Sequence, residues 1–360
     1  MKIKLYLTLL VVLFGFISCV QHPDVAKKEQ INKIKHVFYP PFPASPKYQF
    51  LCTISNTNDI KVKESKFAEF VLGEEAKKGI PIIKPYGVKL FKNKLFICDM
   101  KTGLFVLNLE NGTFEIWRGE APGVLGRPVN IDIDTNGDVY IADIIRREII
   151  VLNQKGGFVK AYFVKTKFSP VDVAVTKDKV FACDVRNHKI VVFDKTNGTV
   201  LYTIGKPGSG KGELFHPTNI KVVNNKLYVS ETSNFRFQIF DLKGKFIATY
   251  GKIGTIPGTF ARPKGIAVDK DGRIYVVDAA FENVQVFDKD FKLLLFFLNS
   301  GNCKGCINLP ADIEISYEIP QYFRAYIDKQ FQPKYLLFIT SQFGNNKVNV
   351  YAFGEYKNKK

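Results

Sequence analysis

Histidine is scarce in this chain of 360 residues: His22, His36, His188 and His216 are all it has. Two of them stand within the first 36 residues, so a zinc centre built from several convergent imidazoles is excluded. No Gly-x-Ser-x-Gly elbow occurs. That removes a signal rather than the chemistry, because a Ser-His-Asp triad assembles in space. Acid is short as well, with 34 Asp and Glu against 52 Lys and Arg, a formal net charge of +18. Without residues 1–18, which hold Lys2, Lys4 and no acid, it is +16. A surface this basic is either drawn to polyanions or simply solvated. Beyond the first twenty residues no run is apolar enough to span a bilayer.

Two phosphate- and calcium-like spacings fail on inspection. Gly205 to Gly212 nearly reads as a phosphate-binding loop, but Gly212 stands where Ser or Thr must hold magnesium, and Pro217 opens a strand instead of a helix. Asp132, Asp134 and Asn136 with Asp143 nearly space an EF-hand, but apolar Ile131, Ile133 and Val139–Ile141 alternate with them, and Asn136-Gly137 is a hairpin turn.

What the chain does have is a repeat. RPKGIAVDKDGRIYVVDAAFENVQVF, from Arg262 to Phe287, contains three short β-branched runs divided by turn residues, and Leu293–Leu298 adds a fourth. The unit recurs at 127–163, 169–205 and 216–251, with looser copies from Lys84-Pro85 and Leu309-Pro310. An acid closes the second run of each of the first five copies, at Asp99, Asp143, Asp184, Glu231 and Asp278, and Ser341 stands there in the sixth. The spacing, roughly 40–60 residues, suits propeller blades. Recurrence of the acid in nearly every copy predicts a loop brace rather than a catalytic ring.

The sixth copy ends after three strands, and Tyr48–Ile54 is a strand without a local partner. Together they complete a blade, and closure removes the open edge that would invite aggregation. The expected architecture is therefore all-β: a six-bladed propeller of four-stranded antiparallel blades over residues 47–354, closed by its N-terminal strand, with a basic tail at 355–360. Phe67, Phe70 and Val71 predict a short helix ahead of blade one. Residues 317–333 are an aromatic insertion in blade six.

Residues 1–18 read as a signal peptide. Phe16-Ile17-Ser18-Cys19 resembles a bacterial lipobox, which implies lipidation of Cys19, a Pro-rich tether over 19–46, and residence in the cell envelope. Gln21, at the position where Asp would retain the protein, implies the outer membrane. Cys98 and Cys183 hold equivalent places in blades one and three. Blade two lies between them, so both are expected as buried thiols. Cys52 is expected to be one too. Cys303 and Cys306 are near enough for a local disulfide in an oxidising envelope. No His follows them and no second Cys pair exists to complete a haem or zinc motif.

The units Pro263–Asp269, Arg273–Asp278 and Asn234–Phe240 resemble the NHL repeat, and Gly208–Pro217 is similar to that family's inter-blade loop. The resemblance covers 84–354 and implies the six-bladed fold. It implies little about activity, because propellers host many functions. The layout is similar to bacterial lipoproteins of this class and implies a non-catalytic binding scaffold, monomeric and without cofactor. In this family the loops after the second strand share a face with those entering the first. Here they carry Arg146, Arg147, Arg186, His188, Phe235, Arg236 and Phe281, residue types that anchor interfaces and pair carboxylates. The expected partner is acidic, an envelope protein or an anionic glycan. Nucleic acid, a partner of animal NHL proteins, is disfavoured by the export signal. The alternative is a calcium-dependent lactonase-type hydrolase. Asn130, Asp172, Asn219 and Asp312 precede the first strands of blades two, three, four and six at equivalent positions and are its candidate channel-mouth ligands. Gly87 and Gly265 hold the place in the other blades.

Overall fold

The computed structural model describes residues 36–60, 79–298 and 300–357. Cys19, the rest of the leader and the helix expected near Phe67 lie outside them.

Each of the first five repeats folds into a four-stranded antiparallel sheet in sequence order, and the sixth supplies three strands of a five-stranded sheet. The first strands are Pro85–Phe91, Pro128–Ile133, Pro170–Val175, Pro217–Val223, Pro263–Val268 and Pro310–Ser316. Proline is tolerated at a strand's first residue, where no ladder donor is needed. Every first strand packs against those of its two neighbours, and that of blade six packs against that of blade one, so the ring closes around them. Tyr48–Ile54 pairs antiparallel with Val348–Tyr356, in the register Tyr48 to Phe353 and Ile54 to Val348. It is the fourth strand of blade six.

The hydrophobic core is divided into six clusters, one at each junction between neighbouring blades. The alternation within each strand explains this, because both faces of a blade meet another blade and both must be apolar. Cys98 and Cys183 are buried in two of these junctions as free thiols, and burial pushes both well above the usual thiol range.

Three details depart from the sequence reading. Val37–Tyr39, within the residues read as tether, is a fifth strand on blade six, paired with Tyr48–Phe50. The second strand of blade six begins at Phe331 rather than Tyr335, which shortens the insertion. The last strand runs to Tyr356, into the residues read as tail. The insertion forms one helical turn, Gln321–Arg324, whose Phe323 is fully buried in the junction of blades six and one. Cys303 and Cys306 form a disulfide in the loop between blades five and six.

Candidate functional site

The path of the chain sorts the loops. Pro85 pairs with Asp99, so a first strand begins at the end of the ring where its second strand finishes. Loops from second to third strands, and from fourth strands to the next blade, therefore share one end. We call it the loop face. Turns within the first and second hairpins share the other.

The repeated acids hold the loop face together. Asp99, fully buried, accepts the backbone N–H groups of Ile83 and Lys84 on one oxygen, at 2.7 and 2.8 Å, and of Lys101 and Thr102 on the other, at 2.8 and 3.0 Å. Asp143 and Asp278 repeat the pattern. One carboxylate thus satisfies donors from two loops that have no secondary structure to do so. Asp184 and Glu231 do the same with side-chain help, and Ser341 substitutes its hydroxyl.

These loops turn sharply just before the third strand. Arg147, His188, Phe235 and Glu282 hold that place with φ between 51° and 58°. A left-handed residue with a side chain costs about 1 kcal/mol relative to glycine, which blade one avoids with Gly103.

The seven residues expected to bind a partner divide into two groups. Arg236 is consumed within the fold: its guanidinium pairs with Glu231 at 2.7 Å and donates to the carbonyls of Ser209, Gly210 and Glu213. Arg146 pairs with Glu148 at 2.7 Å. His188 stacks on Phe215 at 4.6 Å and accepts the His216 N–H at 3.0 Å, while burial and then His216 push its pKa down, so it adds no charge at neutral pH. Phe235 and Phe281 are half-buried. Arg147 and Arg186 are exposed and, among the described residues, make no ion pair. Arg118, Arg127 and Arg262, which the sequence reading passed over, share both properties.

The two faces differ in charge. The connections at the loop face between residues 100 and 347 hold fourteen Lys and Arg and three Glu, whereas the turns at the other end between 92 and 330 hold twelve and ten acids. Exposed large apolar residues follow the same division: Val124, Ile145, Phe163, Phe215, Ile253, Ile256 and Phe343 lie in those loop-face connections, and Tyr317 alone in the opposite turns.

The channel forms the centre of the face. Its candidate ligands lie within the first strands rather than ahead of them, because each strand already begins at its proline, and they come together in part. Asn219 donates to Asp312 at 3.3 Å across the ring, and the Ile220 N–H donates to Asp172 at 2.7 Å. Asn130 turns its oxygen to the Ile131 N–H of its own strand instead. Burial, then the nearby Asp312, pushes Asp172 well above the usual carboxylate range, and burial pushes Asp312 up to about 6. A Cβ on Gly87 would stand 2.1 Å from the Asn130 side-chain oxygen, so glycine lets the inner strands approach. Asn219 has its oxygen buried without a partner among the described residues. Among the described residues no three His, Cys, Asp or Glu are grouped to hold a metal ion.

Below this layer lies a buried ionic chain that the sequence did not reveal. Lys89 bridges Asp132 and Glu314 at 2.9 and 2.8 Å, and Lys221 reaches Glu314 at 2.7 Å. Burial alone would raise Asp132 and Glu314, but the two lysines hold both below their usual range. Blades one, two, four and six are joined through it.

A family profile described as a 6-bladed beta-propeller matches residues 214–359. Protein brain tumor of Drosophila melanogaster is 33% identical over 129 residues, 35% of this chain and 12% of that protein. NHL repeat-containing protein 3 of Homo sapiens is 26% identical over 226 residues, 57% of this chain and 63% of that protein. The chain thus spans less than two thirds of either relative. The structure of a gluconolactonase from Xanthomonas campestris matches at a TM-score of 0.53 and 16% identity, over 75% of this chain and 86% of that one, a likeness of fold alone. Blades and ring closure make the chain a six-bladed β-propeller, and its repeats are similar to those of NHL repeat-containing proteins.

Proposed function

We propose that the protein is a non-catalytic binding scaffold of the bacterial envelope, held to a membrane by lipid on Cys19, whose loop face captures an acidic partner. The observation that carries this reading is the polarity of the ring: cations without carboxylate partners among the described residues and exposed apolar residues share one face. Arginine and apolar side chains together are the composition of interface anchors. The apolar residues favour a protein over a glycan, which has little apolar surface to cover them.

Zero-length carbodiimide coupling on intact membranes tests the face directly, because it joins a lysine only to a carboxylate it touches. Adducts at Lys101, Lys165 and Lys252, with Asp or Glu peptides attached, are expected, and they should disappear when Arg118, Arg147 and Arg186 are replaced together by Ser. Uronic-acid adducts would make the partner a glycan. Adducts confined to the opposite turns, at Lys243 and Lys289, would refute the reading.

The second reading, a calcium-dependent lactonase-type hydrolase, is favoured by the convergence of Asp172, Asn219 and Asp312 and by the unpartnered Asn219 oxygen. Against it, both Asp172 oxygens already accept backbone N–H groups. Calorimetry with calcium decides: an absence of binding at millimolar concentration removes this reading.

A further inference from the structure

At the channel mouth, Lys264 is 8% exposed. Its ammonium donates to the Tyr86 hydroxyl at 3.2 Å, from blade five to blade one across blade six, and lies 4.9 Å from the Tyr86 ring centre. Among the described residues it makes no ion pair. An ammonium has three donors, and lysines this buried are almost always paired. Lys221, one layer down, has its carboxylate. Lys264 instead faces like charge: burial first, then Arg262 and Lys84, push its pKa down to about 8. Neither of those cations has an ion pair among the described residues. The acids nearest the mouth, Asp172 and Asp312, are both held toward their neutral forms by burial. Repulsion of an incoming anion by Asp172 is reduced accordingly, while Asp312, at about 6, is still ionised at neutral pH.

We propose that the channel mouth is an oxyanion site, in which the Lys264 ammonium, the Tyr86 hydroxyl and the Arg262 guanidinium receive one carboxylate or phosphate group. Lys264 supplies two free donors and the charge. Tyr86, accepting from Lys264, keeps its O–H to donate. Arg262, exposed at the entrance, adds the planar fork that suits either group. The site sits at the centre of the loop face but does not rest on the partner reading, and it holds whether or not a macromolecule covers that face.

The test is isothermal titration of the full chain with citrate and, separately, with inorganic phosphate, at constant ionic strength set by chloride. Saturable binding of at least one is expected, and the two arms tell carboxylate from phosphate. Lys264→Met should weaken it by about tenfold or more, and Arg262→Gln should weaken it severalfold. The Arg118, Arg147 and Arg186 triple variant should bind as the parent does, which separates this site from partner capture. If Lys264→Met does not fold, Arg262→Gln decides alone, since its side chain is exposed. No saturable binding of either anion, or unchanged affinity in the variants, overturns the proposal.

Discussion

Lys264 destabilises the ring, and no carboxylate among the described residues pairs with it. Its pKa, down to about 8 from the usual 10.5, corresponds to a penalty of about 3 kcal/mol on the folded state. The sign follows from linkage. Below pH 8 the residue is protonated folded and unfolded, and the penalty is full. Between pH 8 and 10.5 the folded form releases its proton while the unfolded chain keeps it, so the penalty fades as pH rises. Tyr86, raised by burial, stays neutral through that window. Lys264→Met should therefore unfold at higher urea than the parent at pH 7 in chloride, and the gap should narrow toward pH 10. A variant less stable than the parent at pH 7 would mean that the lysine has a structural partner after all. Residues that lower stability are kept where they bind or react, and the anion site is what this one would be kept for. Arg236 is the contrast. Its charge is spent on Glu231 and three carbonyls, so it holds a loop and is not available to a partner.

At the scale of the element, the closing strand carries a disproportionate share of the ring. Tyr48–Ile54 supplies a full ladder to Val348–Tyr356, places Leu51 and Ile54 in the junction with blade one, and stacks Tyr48 on Phe297 of blade five at 4.5 Å. Deleting residues 47–55 exposes both junctions and leaves an unpaired edge, so the loss should exceed the 0.5–3 kcal/mol of ordinary substitutions. A soluble deletion variant that melts cooperatively at the parent's midpoint would refute this assignment. The strand was legible because no hairpin partner for it can be read in the neighbouring sequence, in a chain whose last copy stops one strand short. Val37–Tyr39 was not legible, since three residues followed by Pro40-Pro41 give no period to read. The helical turn at Gln321–Arg324 is similarly short, and it is held by the burial of Phe323 rather than by its own pattern. The site divides the same way. The bracing acids repeat in register and could be read from spacing. The Lys89, Asp132, Lys221 and Glu314 chain joins residues as far apart as 225 positions through a channel that exists only once the ring has closed.

At the scale of the molecule, composition recorded the excess of charge but not its side. The side depends on strand direction, which sends every second connection to the same end. Fourteen cations and three acids in the loop-face connections between residues 100 and 347, against twelve and ten in the opposite turns, make the ring electrically polar along its axis. Such a field orients an approaching polyanion before contact and raises its association rate, whereas dissociation is governed by contacts already formed. Salt should therefore act almost entirely on association, because the Debye length falls from roughly 10 Å at 0.1 M to about 3 Å at 1 M. The measurement is surface plasmon resonance on immobilised poly-glutamate. The association rate should fall by about tenfold or more between 50 and 500 mM NaCl, with dissociation changing less than about threefold. Replacing Arg118, Arg147 and Arg186 by Ser should flatten that dependence. Replacing Lys243, Lys245 and Lys289 on the opposite turns removes the same formal charge and should leave it steep. Equal flattening by the two sets would show that net charge, not the loop face, drives capture, and the polarity of the ring would then have no part in recognition.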